Sequence, residues 1–293
     1  MSQTLPVADL AQLPAAAPMA PGAARNRRLR SIAGPTLVFA LMIGAWYAGS
    51  YLLVDPQLRF LLPTPDEVAR VAFGDRDNLT ELLQALALSA KVAMTGLVLA
   101  TGLGLGLAIL MSQARWLERS LYPYAVVLQT VPVLALVPLF GYWFGFGFAS
   151  RVLVCVLIAI FPIIANALFG LRSVDPGMHD LFTLHRAGRL RRLVKLQLPA
   201  ALPALFTGLR ISAGASVIGA IVGDFFFQQG QPGLGQLIYL YPKRLESEKL
   251  FAAVILASLL GLAVFWIFGV LARRVNAWHE SEHDRGSAPR ISR

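Results

Sequence analysis

One cysteine, Cys155, stands in 293 residues, and only 14% of the chain is charged. A lone thiol inside an apolar run closes no internal disulfide and supplies no cysteine-ligated metal site. Soluble domains are about 25% charged. With 56% hydrophobic residues and a mean hydropathy of +0.62, the chain is too apolar for a simple globular enzyme. Acids are scarcer than bases, 16 against 26, which leaves a net charge of +10. In a soluble protein that surplus points to nucleic acid; here the bases lie between apolar runs and read first as membrane-orientation signals, so no nucleic-acid partner is expected. No carboxylate lies near the middle of an apolar run, which argues against proton- or sodium-coupled transport. No Walker A motif is present either, so any ATP is bound by another subunit.

What the chain has is long uncharged runs. A bilayer core of about 30 Å needs roughly 20 helical residues, because lipid offers backbone groups no partner. Runs of that order cover residues 34–54, 92–114, 121–150, 152–171, 200–223 and 250–272. The third carries Pro123, Pro132 and Pro138 and is expected to kink or to lie partly at the membrane surface. The fold class expected is an all-α integral membrane protein of about six spans. With a cytoplasmic N-terminus, seventeen lysines and arginines fall inside and seven outside, so both termini are expected in the cytoplasm. The first run reads as an uncleaved anchor. Residues 1–31 are expected to be a disordered N-terminal segment, 32–275 the transmembrane domain and 276–293 a polar tail. Residues 79–90, capped by Thr80, read as an outer helix leading into the second span.

Several apparent motifs carry no chemistry. His279-Glu280-Ser281-Glu282-His283 matches the zinc pattern H-E-x-x-H, but it lies in a polar tail with no shell to hold a metal. Gly102, Gly104 and Gly106 sit mid-span without the Lys-Ser/Thr of a phosphate loop and read as small residues that let helices approach. No catalytic residue, metal or cofactor is expected. Ionisable residues in lipid are functional candidates. Arg210 falls well inside its span by helix rise, with snorkelling as the alternative. Asp224 ends the same span, followed by Phe225, Phe226, Phe227, Gln228 and Gln229, for which an interfacial aromatic belt is the alternative.

The segment from Arg172 to Pro199 is the most specific. After the breaker Val174-Asp175-Pro176-Gly177, residues 180–198 read as one helix with leucines among arginines, ended by Pro199. Such a helix either lies on anionic lipid or docks a soluble partner.

Here the chain resembles the inner-membrane permeases of ATP-binding-cassette importers, in the nitrate, sulfonate and taurine branch. Their loop carries Glu-Ala-Ala, three residues, Gly, nine residues, then Ile-x-Leu-Pro. Asp180, Leu181 and Phe182 take the first positions, Arg186 replaces the glycine unless Gly188 serves, and Leu196, Leu198 and Pro199 fit the close. Residues 62–68, 129–147 (Gln129 through Gly147) and 161–171, with Phe161-Pro162 and Asn166, also resemble that branch. The resemblance spans roughly residues 35–275. It implies a cytoplasmic coupling helix between spans 4 and 5, with Asp180, Leu184, Arg186, Ala187, Gly188, Leu198 and Pro199 in the ATPase-coupling loop. Gln129, Asn166, Arg210, Asp224 and Gln228 are the candidates for the translocation path. It further implies a homodimer in lipid, two cytoplasmic ATPase subunits and an extracytoplasmic solute-binding protein, working by alternating access. The solute expected is a pyrimidine- or riboflavin-like heterocycle or a sulfonate- or nitrate-type anion. A stand-alone secondary transporter or channel is the alternative.

Overall fold

The computed structural model describes the backbone over residues 21–286 and side chains over 33–275. In chain order the helices are α1 Pro21–Ala48, α2 Pro65–Gly74, α3 Arg76–Ser112, α4 Arg115–Thr130, α5 Val133–Phe144 and α6 Phe148–Arg172. They continue with α7 Pro176–Leu184, α8 Arg189–Arg192, α9 Leu198–Phe226, α10 Leu234–Leu240 and α11 Ser247–Gly286. No strand occurs among the described residues.

The chain divides into two units, residues 1–65 and 66–293. In the first, α1 runs into a π turn, Gly49–Leu53, and the chain then doubles back through a 3-10 turn, Pro56–Leu61. Trp46 Nε1 donates to the Pro63 carbonyl at 3.0 Å and Ser50 Oγ to that of Leu62 at 2.7 Å, closing this fold-back.

In the second unit α6 is the central helix, packed by α3 and by α9. The reason is steric. Cys155 on α6 is enclosed by Gly96 of α3 and Gly219 of α9, and a Cβ at Gly219 would stand 2.8 Å from the Cys155 Cα. Small residues on both neighbours therefore let the backbones close on α6, the usual basis of helix association in lipid. Of the three glycines expected to allow close approach, only Gly104 meets a neighbour, Ile163; Gly102 and Gly106 face open space. Ser212 Oγ of α9 donates to the Ala159 carbonyl at 2.6 Å, tying α9 to α6 inside the bundle.

The third apolar run is broken, as its prolines suggest. α4 and α5 meet at 97°, because Pro132 cannot donate to a helical ladder and forces Val131 out of the helix. Among the described residues five helices are long and apolar enough to cross a membrane, and this bent pair, taken as one span, makes six.

Other expectations need correction. The helix expected over 79–90 is the start of α3 itself, capped by Asp75, whose side chain accepts from the N–H groups of Asp77 and Asn78; Thr80 instead donates to the Arg76 carbonyl. α1 begins at Pro21 and α11 continues to Gly286, so the backbone of both flanking segments is helical over those stretches. Propagating an established helix costs far less than starting one. Residues 1–20 and the side chains of the H-E-x-x-H sequence lie outside the described residues.

Candidate functional site

Three places in the second unit carry polar or partner-ready groups: the α6–α9 connection, a cavity beside α6, and the opposite end of α6 and α9.

The connection differs from the single helix expected over 180–198. α7 starts on Asp175, whose carboxylate accepts from Gly177 N–H at 2.7 Å, and stops at Leu184. Arg186 then adopts φ +49, the left-handed conformation that glycine takes most cheaply. Arg186 N–H donates to the Thr183 carbonyl and Ala187 N–H to that of Phe182, both at 2.9 Å, which is the Schellman way of closing a helix. An arginine therefore performs the turn that the family pattern gives to glycine. Nor does Pro199 end a helix. Its missing N–H is absorbed by a π turn over Leu193–Gln197, and the chain passes from α8 into α9 as one rod. Leu198 N–H donates to the Leu193 carbonyl in that turn. The break expected at Leu198-Pro199 stands at 185–188.

The connection presents an apolar row to its surroundings. Leu181, Leu184 and Leu190 are exposed, Leu184 to 82%, and Asp180, Arg186 and Gly188 are exposed among them, with Ala187 half-buried. Leu196 is buried and anchors the segment to the bundle, while Leu198 and Pro199 are half-buried. Arg192 Nη2 donates to Thr183 Oγ1 at 3.0 Å, bracing α8 on α7, and Arg172 pairs with Glu118 where the segment leaves α6. Replacing Arg186 by glycine should stabilise this turn by about 1 kcal/mol, since a left-handed Cβ costs that much. Amide exchange over 182–187 should slow, and faster exchange would show that the arginine side chain holds the turn.

Gln129 and Asn166 come together. They line one cavity of about 520 Å³ with Leu128, Val133, Leu157, Ile158, Phe161, Pro162, Ala165 and Ile211. Asn166 Nδ2 donates to the Pro162 carbonyl at 2.8 Å, which leaves its Oδ1 to accept. No charged residue lines this cavity.

The other three path candidates lie elsewhere. Arg210 stands over the Phe265 ring of α11, 4.1 Å from its centroid, and against Gly269. Gln228 is exposed on the loop after α9, and its carbonyl accepts from Gln236 Nε2 at 3.3 Å. Asp224 is fully buried: its Oδ1 accepts from Arg151 Nη1 at 3.0 Å, and its Oδ2 accepts from the Ser89 hydroxyl. Of the aromatic run, Phe227 is fully buried against Phe146, Phe225 packs edge-on against Tyr239, and Phe226 is exposed.

Arg151 and Ser89 are the residues that reading the sequence missed. The charge count placed Arg151 in a loop; it is 2% exposed, inside the first turn of α6. A signal was there. A single arginine interrupts two apolar runs, and a single aspartate stands at the same end of the span that packs on it.

Residues 100–277 match the family described as binding-protein-dependent transport system inner membrane component. The chain is 33% identical over 250 residues to the formylaminopyrimidine transport permease protein ThiX of Halalkalibacterium halodurans, a match covering 85% of this chain and 96% of that one. It is 32% identical over 285 residues to the riboflavin transport system permease protein RibX of Chloroflexus aurantiacus, covering 96% and 100%. Among solved structures, an inward-facing conformation of the MetNI methionine ABC transporter matches with a TM-score of 0.61 at 17% identity, over 69% of this chain and 99% of that one, a likeness of fold. With relatives of this similarity matched nearly end to end, the chain belongs to the binding-protein-dependent transport family, as a multi-pass inner-membrane permease of an ABC importer and not an enzyme, and the family's ATPase and solute-binding proteins are its partners.

Proposed function

We propose that this permease, paired with a second copy in lipid, forms the path for a small uncharged heterocycle of pyrimidine or flavin type. One observation carries the reading: the Gln129–Asn166 cavity offers amides and the Phe161 ring among apolar side chains, and nothing charged. An amide presents both donor and acceptor to a ring carbonyl or ring N–H, and an aromatic face suits a planar solute. An anion path calls for a cation at this point. Arg210, the nearest claimant by sequence, is occupied over Phe265. The names of ThiX and RibX favour the same solute class.

A second copy is favoured by the exposed aromatic C-terminal end of α5, where Tyr142, Trp143 and Phe144 are each more than 60% exposed. The basic asymmetry, seventeen to six once Arg151 leaves the loop count, supports a cytoplasmic place for both termini and the α7–α8 segment. There the exposed leucines of that segment enter a groove of the ATPase, as an amphipathic helix does. The end carrying Asp224 then faces the binding protein. Solute identity tests the proposal. Mass spectrometry of the small molecule released from the partner binding protein on denaturation should find a pyrimidine or flavin; a sulfonate or nitrate would overturn the reading.

A further inference from the structure

Arg151 does more than neutralise Asp224. Its Nη2 donates to the carbonyls of Phe227 at 2.6 Å and Gln229 at 2.9 Å, and its Nη1 donates to that of Gln231 at 3.3 Å besides Asp224. Ser89, on α3, completes the arrangement: it donates to Asp224 and accepts from Leu234 N–H at 2.9 Å, where the loop re-enters helix. The fit is close enough to exclude a Cβ. At Gly233 it would collide with the Asp224 carboxylate, and at Gly235 it would stand 2.8 Å from the Asp224 Cβ. Gly230, at φ +88, makes the turn that aims successive carbonyls inward.

The consequence is an inverted loop. The carbonyls at 227, 228, 229 and 231 are turned in and bonded, while the side chains of Gln228, Gln229 and Gln231 are exposed. A neutral ion pair needs one partner for each charge. A guanidinium that also serves three carbonyls of one loop fixes that loop's shape, and charge-assisted bonds of this kind are the stronger ones.

We propose that Arg151 is a positioning residue for transport: it holds residues 227–231 in one conformation, so that three glutamine side chains form a preorganised, uncharged hydrogen-bonding rim at the mouth of the path. The inference rests on the permease reading above, which places that end of the bundle toward the binding protein. Ordering such a rim in advance removes an entropic cost from each hand-over of solute. Arg151 acts through the loop and touches no solute.

The test uses the full complex, permease with ATPase and binding protein, reconstituted in vesicles. Arg151→Met alone strands a buried carboxylate, so the informative variant is Arg151→Met with Asp224→Leu, in which both charges go; replacing a buried pair by apolar groups is often close to neutral for stability. A spin label on Gln229→Cys reports loop mobility. The paired variant should assemble and keep basal ATP hydrolysis within about twofold, release the label, and lose about tenfold in uptake from loaded binding protein. Arg151→Lys, which keeps the charge but reaches fewer carbonyls, should fall between. Uptake near wild type in the paired variant, or a label as immobile as in the parent, would overturn the inference. Loss of assembly or of basal hydrolysis would also overturn it, by showing that the pair serves the fold. Failure of the wild-type complex itself to take up solute with ATP would instead count against the permease reading.

Discussion

Asp224→Ala should destabilise the bundle by about 3–5 kcal/mol, the largest effect expected of a single substitution here, because it leaves the Arg151 guanidinium charged, buried and short of its counter-ion. Two losses coincide. The pair spans α6 and α9, the two helices at the centre of the second unit. Ser89 loses the acceptor through which α3 joins it, though it still accepts from Leu234 N–H. Bulk solvent compensates little, since Asp224 is fully buried and Arg151 is 2% exposed. The measurement is the detergent or heat midpoint of unfolding of the purified permease. Asp224→Ala with Arg151→Met should recover most of the loss, because a missing pair costs less than half a pair. Equal instability of the single and double variants would mean that the carboxylate acts mainly through Ser89.

Leu184→Pro should abolish association with the ATPase, and transport with it, while leaving membrane insertion intact. Leu184 is the last residue of α7 and 82% exposed. Proline there removes a helical N–H, clashes with the carbonyl four residues back and disfavours helix at Thr183, an effect of about 3 kcal/mol. α7 is only nine residues long and rests on one aspartate cap and one Schellman turn, so it has no reserve to absorb that. The bundle is untouched, because no buried residue lies between Pro176 and Leu184. Co-purification of tagged permease with ATPase reads the result. Leu184→Ala, which removes the side chain and keeps the helix, should weaken association less. Full retention of the ATPase by the proline variant would mean that the segment rests on lipid.

Spans were legible because their signal is additive over about 20 residues and does not depend on neighbours. The break in the third run was legible for a similar reason, since Pro132 acts on its own backbone. What failed to show was context. Arg186 in a left-handed turn reads from sequence as a lost glycine; its backbone bonds to Thr183 and Phe182 make it a working substitute. Pro199 reads as a helix end, yet a π turn carries the chain past it, because the following residues belong to a packed span that outweighs one lost hydrogen bond. Asn166 and Gln129 lie 37 positions apart and share a cavity because α4 packs on α6. Arg151 was hidden by counting it as a loop charge. A pair such as Arg151 and Asp224, separated by 73 positions, becomes visible only when the packing of α6 on α9 is known.

The energy source tests the central claim most directly, because membership of the binding-protein-dependent import family makes the partner ATPase the drive. Vesicles carrying the permease with its ATPase, supplied with loaded binding protein outside and ATP inside, should accumulate the solute with no ion gradient imposed, and should fail to do so when ATP is omitted. Accumulation driven by a proton or sodium gradient in vesicles holding the permease alone would contradict it.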